Sequence, residues 1–185
     1  MGTPLFLASP GMSGYGQQQP AAYNQGPYTP PPAAPLAPAL PQQIHIAGIV
    51  GSALAALGSI LVWATAEVEG ESAGTKGLEG DGLWTLLLGI VAVGLFAAGM
   101  ATKKVVLSAA AAAPALIVLV FGVLNLLDPE RVVRAEGESE GVPSEQIDAL
   151  LSMVDVSAGF GLYLVVLGGL GGLAAGAFAA TKLKK

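Results

Sequence analysis

Four runs without a single Asp, Glu, Lys or Arg divide the chain, at about 44–66, 83–101, 105–127 and 156–181, each about 19 to 26 residues long. A helix needs roughly 20 residues to cross a ~30 Å hydrocarbon layer, so the pattern predicts four transmembrane helices. Polar stretches at 67–82 and 128–155 predict loops, and 102–104 a tight turn. The expected fold class is all-α: a four-helix transmembrane bundle of two helix hairpins with a disordered N-terminal tail.

The tail covers residues 1–43, carries no charge and is rich in Pro, Gln, Gly, Ala and Tyr. Such a composition cannot bury enough apolar surface to offset the entropy of ordering. Its later prolines favour polyproline II. Met12 opens the polar, Tyr-containing part and stands as an alternative start. Tyr15, Tyr23 and Tyr28 are interleaved with Gln, Asn and Gly, which suits either a solvated spacer or an interaction segment. No signal peptide is expected, since MGTPLFLASPG has no basic leader and too short an apolar core.

Charge then separates the two ends of the bundle. All 13 acidic residues fall within 67–81 and 128–155, whereas Lys103, Lys104, Lys182, Lys184 and Lys185 follow the second and fourth runs. By the positive-inside tendency, both termini and the 102–104 turn are cytoplasmic and the two acidic loops face outward. The expected location is the cell membrane. Once the spans and tail are subtracted, no soluble catalytic domain fits, the largest aqueous piece being a loop of about 28 residues. Cysteine is absent, which excludes disulfides and thiol–disulfide exchange.

Self-similarity suggests a duplication. EGES occurs at 69–72 and 136–139, GLWTLLLG at 82–89 parallels GLYLVVLG at 161–168, and ATK recurs at 101–103 and 180–182. Two copies of a helix, acidic loop, helix unit would make a parallel repeat. Within the longer loop, Ile147, Leu150, Leu151 and Val154 fall on one helical face, with Ser144 placed as N-cap.

Ionisable groups inside a bilayer mark pathways, and the four runs contain none apart from His45 at the edge of the first. The polar residues at depth are Ser52, Ser59, Thr85 and Ser108, hydroxyls that commonly bond back to their own helix, and Asn125, expected to bond between helices. His45 is expected at the interface, reaching solvent. One histidine with no Cys or nearby carboxylate cannot assemble a metal site or a hydrolytic triad. The acidic loops lack the Asp-led spacing of a calcium loop. No catalytic, cofactor-binding or metal-binding residue is expected, and neither nucleic acid nor an identifiable small-molecule substrate.

Packing residues are more legible. Gly168, Gly172 and Gly176 recur every fourth residue, a stripe that lets helix backbones approach closely, either inside one bundle or between copies. Trp63, Trp84 and Tyr163 are expected as anchors at headgroup depth. Pro114 is expected to kink or break the third helix.

With Trp63 ending the first run, GLEGDG at 77–82 leading into the second, and the Pro/Gln/Tyr-rich leader, the chain resembles the small, uncharacterised multi-pass membrane proteins of actinobacteria. That resemblance implies the cytoplasmic membrane of a Gram-positive cell and carries no activity. The expected function is that of a non-enzymatic adaptor or accessory subunit, with the bilayer and protein partners, or self-association through the fourth span, as its contacts. The alternative is a small oligomeric channel or transporter.

Overall fold

The computed structural model describes residues 40–68 and 71–183. The tail reading, with Met12 and its tyrosines, lies outside the described residues, except that Gln42 and Gln43 belong to the first helix. Helices take up 74% of the described residues, and the remainder includes a sheet that an all-α reading does not contain.

Among the described residues, seven helices and three strands follow in the order α1 (Gln42–Ser59), β1 (Val62–Val68), β2 (Glu71–Lys76), a 3₁₀ turn (Gly77–Glu79), α2 (Gly82–Thr102), α3 (Val105–Ala110), α4 (Ala112–Leu127), α5 (Glu130–Ser139), α6 (Ser144–Leu151), β3 (Asp155–Ala158) and α7 (Phe160–Lys182). α1, α2, the α3–α4 rod and α7 pack as a four-membered ring in which each helix touches the next. At one end of this bundle the strands and α5–α6 form a cap.

Three of these helices, 82–102, 105–127 and 160–182, are long and apolar enough to cross a membrane. Four spans were expected, and the first, over 44–66, is the one that fails. Its helix stops at Ser59, and its leading turn holds Gln42, Gln43 and His45. At 1.5 Å per residue α1 is about 27 Å long. The rest of the uncharged run leaves the helix through Ile60 and Leu61 and becomes β1.

Bulky side chains face outward along these helices and small ones inward. Ile90 and Val91 of α2, Ile117 and Val120 of α4 and Leu167 of α7 are exposed, while Gly89, Ala92, Ala115, Gly168 and Gly169 line the centre. That distribution suits lipid, where helices gain by close approach rather than by hiding large apolar groups. The third rod is interrupted for one residue at Ala111, three before Pro114, whose ring displaces the carbonyl four residues back. Hydrogen bonds from Ala111 N to Leu107 O and from Ala115 N to Ala111 O, both 3.2 Å, carry the rod across the break.

The cap sheet has the order β2-β1-β3, antiparallel throughout. Its register slips between Val62 and Ala64, which leaves Trp63 as an extra residue. A bulge of this kind re-aims a side chain, and it accounts for Trp63 and Ala64 being buried in succession where a regular strand would alternate.

Candidate functional site

The strongest local construction in the molecule is the seam between α1 and α7. A Cβ added at Gly51 would lie 2.8 Å from Gly172 N and 3.0 Å from Gly168 O, and one at Gly58 would lie 2.7 Å from Gly161 O. At Gly168 a Cβ would collide with the backbone of Ala55. Gly172 faces Ser52 and Ala115, and Gly176 lies against the backbone of Ala112. All three residues of the stripe therefore meet other helices of the same chain. At Gly51, Gly58 and Gly168 the α1 and α7 backbones come within reach of one another, the close approach that small residues allow between membrane helices.

Trp63 closes the cap end of this seam. The tryptophan was expected at headgroup depth, but it is 0% exposed, and its Nε1 donates to Gly58 O at 3.0 Å. A Cβ at Gly77 would stand 2.5 Å from the indole and one at Gly161 2.9 Å, so three glycines from three elements make its socket. The residue anchors cap to bundle rather than protein to lipid. Trp84 and Tyr163 are 60% and 49% exposed on the first turns of α2 and α7.

Buried polar groups are mostly partnered in short links. Ser59 Oγ donates to Ala55 O at 2.8 Å and meets Thr85 Oγ1 at 2.7 Å, while Thr85 donates to Gly82 O at 3.0 Å. Two hydroxyl protons are thus shared over three contacts, a link between α1 and α2. Asn125 donates to Phe121 O at 2.9 Å and to Asp81 Oδ2 at 3.1 Å, tying the end of α4 to the start of α2. His45 is also a correction. It is 5% exposed rather than solvent-reaching, with Nδ1 2.8 Å from Ser108 Oγ of α3. Ser52 Oγ is the one buried side-chain polar atom without a partner among the described residues. It borders a central void, flanked by all four members of the ring, that has no room for a water molecule.

In the cap, Ile147 and Leu151 of α6 are buried, but Leu150 is 61% exposed and the helix starts without a side-chain cap. Ser144 is therefore the first helical residue and not the N-cap, a place taken by Pro143. Arg134 of α5 donates to Asp148 of α6. That hydrogen bond, reinforced by the Asp148 charge, raises the guanidinium above its ordinary value, which leaves Arg134 cationic throughout the physiological range. Thr75 of β2 donates to Glu136 of α5 at 2.8 Å. Among the described residues, no group of three or more His, Cys, Asp or Glu is arranged to hold a metal ion.

Taken with the inverted distribution of large and small side chains, three apolar helices of spanning length define a multi-pass membrane protein with a folded cap at one end. No protein-family model, curated protein or solved structure matches the chain. Sequence reasoning found the stripe and Asn125. It missed the sheet and the socket of Trp63, for which the only signals were Val62 and Thr65 in a β-favouring stretch and a glycine on each contacting element.

Proposed function

We propose that the chain is a non-enzymatic adaptor or accessory subunit of a membrane complex in the cytoplasmic membrane of a Gram-positive cell. The observation that carries this reading is the filled interior: the α1–α7 seam is closed by backbone contact, and the central void is too small for water. Where the four members of the ring meet, the space between them is too small for a solute, whereas the cap presents charged and apolar groups outward. A pore built by copies joining through the fourth-span stripe loses its joining surface, because Gly168, Gly172 and Gly176 are occupied within one chain.

The five lysines outside the acidic stretches support an orientation with the end carrying Lys103 and the end of α7 in the cytoplasm and the cap outside. A cysteine placed at Ser72 or Ser139 then reacts with a membrane-impermeant thiol reagent in intact cells, and one at Thr102 does not. The reverse labelling overturns the orientation.

Function is tested by crosslinking in native membranes followed by affinity purification and mass spectrometry. The full chain is compared with a version lacking residues 1–39 and with a cap variant, Leu150→Glu with Met153→Glu. A discrete partner held by the full chain and lost from either variant is expected. Recovery of self-crosslinked protein alone in every version sinks the adaptor reading and makes ion-flux assays in vesicles decisive.

A further inference from the structure

In the cap, α5 and α6 meet beside β1 and leave a groove of about 330 Å³ between them. Its floor is apolar. Ile147 and Leu151 of α6 are buried, Ala66 belongs to β1, and Val133 of α5 packs against the buried cluster that contains Trp63 and Val132. Gly137 lets the two helices close at this point, since a Cβ there would stand 2.9 Å from Ile147 Cδ1. Hydrogen bonds from Arg134 to Asp148 and from Thr75 to Glu136 tie α5 to α6 and to the sheet, so the groove is shaped before anything enters it.

One rim of the groove is acidic. Val133, Glu136, Gly137 and Glu140 recur at helical spacing on the face of α5 turned toward it, and a bond from Glu140 N to Glu136 O at 3.1 Å carries that face one residue past the helix end. Arg131, Arg134 and Glu138 line a separate cavity, so among the described residues no basic side chain lines the groove. α5 also has no basic residue in its last turn, where the carbonyl end of a helix favours a cation. The opposite rim is the exposed Leu150. An apolar floor between a leucine and two carboxylates one turn apart complements a helix that has an apolar face and Lys or Arg one turn apart beside it.

The chain itself does not supply such a helix. Residues 1–39 carry no charged side chain, and Lys103, Lys104 and Lys182 stand at the bundle end away from the cap. In a second copy, Arg134 is held by Asp148 and Val132 is buried, so α5 offers no apolar face beside its arginines. Anionic lipid headgroups are repelled by the carboxylates. We propose that this groove docks a basic amphipathic helix of a partner protein, with its apolar side chains on Val133, Ile147 and Leu151 and its Lys or Arg groups against Glu136 and Glu140. The proposal rests on the adaptor reading and gives the chemistry of the partner which that reading requires.

The test uses the full chain in phosphatidylcholine nanodiscs. The probe is a labelled amphipathic Leu/Lys peptide of about 18 residues, long enough to form a helix, compared with its Leu/Glu counterpart by fluorescence anisotropy. The Lys probe binds and the Glu probe does not. Glu136→Gln with Glu140→Gln keeps an acceptor for Thr75 and weakens the Lys probe about fivefold, the worth of two exposed charge pairs. Leu150→Ala weakens it by a similar factor through lost apolar contact. Glu130→Gln with Glu145→Gln removes the same charge outside the groove and retains wild-type affinity, while Glu140→Lys admits the Glu probe. Equal weakening by the two Glu→Gln pairs, or equal binding of the two probes, overturns the groove. Crosslinking in native membranes separates this outcome from failure of the adaptor reading. A discrete partner held equally by the wild-type chain and by Glu136→Gln with Glu140→Gln overturns the groove and leaves the adaptor standing. Recovery of no partner, with the Lys probe seated in the groove, removes the adaptor reading alone.

Discussion

At Gly51, Gly58 and Gly168 the α1–α7 seam sets backbone against backbone, whereas the cap is joined by side chains reaching across: Trp63 into its glycine socket, Thr75 to Glu136, Arg134 to Asp148. The two regions respond oppositely to substitution. In the seam, adding one carbon is the damaging change, because neither helix axis has a flexible side chain to move aside. In the cap, removing atoms is the damaging change, and its cost follows how much each side chain fills.

The largest effect expected is therefore in the cap. Trp63→Ala empties the socket between three elements and lowers stability by about 3–5 kcal/mol, read as a fall in Tm and rapid proteolysis of the cap. Trp84→Ala, on an exposed ring, changes it by less than about 0.5 kcal/mol. Equal losses for the two tryptophans would show that both act as lipid anchors and that the contrast drawn here is mistaken.

Next comes the seam itself. Gly168→Ala drives a methyl group into the backbone of Ala55 and costs about 1–3 kcal/mol or more. Gly94 of α2 has nothing within 4 Å of its would-be Cβ, so Gly94→Ala gains up to about 1 kcal/mol from helix propensity. Denaturation of both variants in the same detergent separates a packing effect from a general dislike of alanine. A stable Gly168→Ala protein would mean that the seam is looser than its backbone distances state.

The smallest effect sharpens the account of the bundle centre. Ser52→Ala removes the unpartnered buried hydroxyl and raises stability by about 1 kcal/mol. A loss instead would reveal a hydrogen bond made by Ser52 in the membrane-embedded protein.

Hydropathy marked the third rod at 105–127 to the residue and the start of α2 within one, because an uncharged stretch of bilayer length bounded by turn residues has one stable use, but it began the fourth span at 156, inside β3 and four residues before α7. It failed at 60–68 for a physical reason. Val62 to Ala66 is uncharged in a strand as in a helix, and what ends α1 is the pairing offered by residues 71–76 and 155–158, which no local pattern announces.

The repeated EGES makes the same point. Glu71 and Ser72 of the first copy are in β2, while Glu136 to Ser139 of the second close α5. Only the following halves, GLWTLLLG and GLYLVVLG, lie in corresponding helical positions. His45 was misread because a lone histidine near the membrane edge is ordinarily solvated, and the partner that buries it, Ser108, lies 63 residues away.

The central position of β1 also sets an order of events. Its partnership with β2 is local and can form as soon as residue 76 has emerged. Its other edge pairs with 155–158, and those bonds have to wait until two of the three spanning helices have been synthesised and the intervening chain returned to the same side. Long-range pairing of this kind is the slow step of a fold. The clasp between Ala64 and Ala158 thus serves as a record of completed biogenesis: a nascent chain stalled at α4 carries a two-stranded cap with one raw edge.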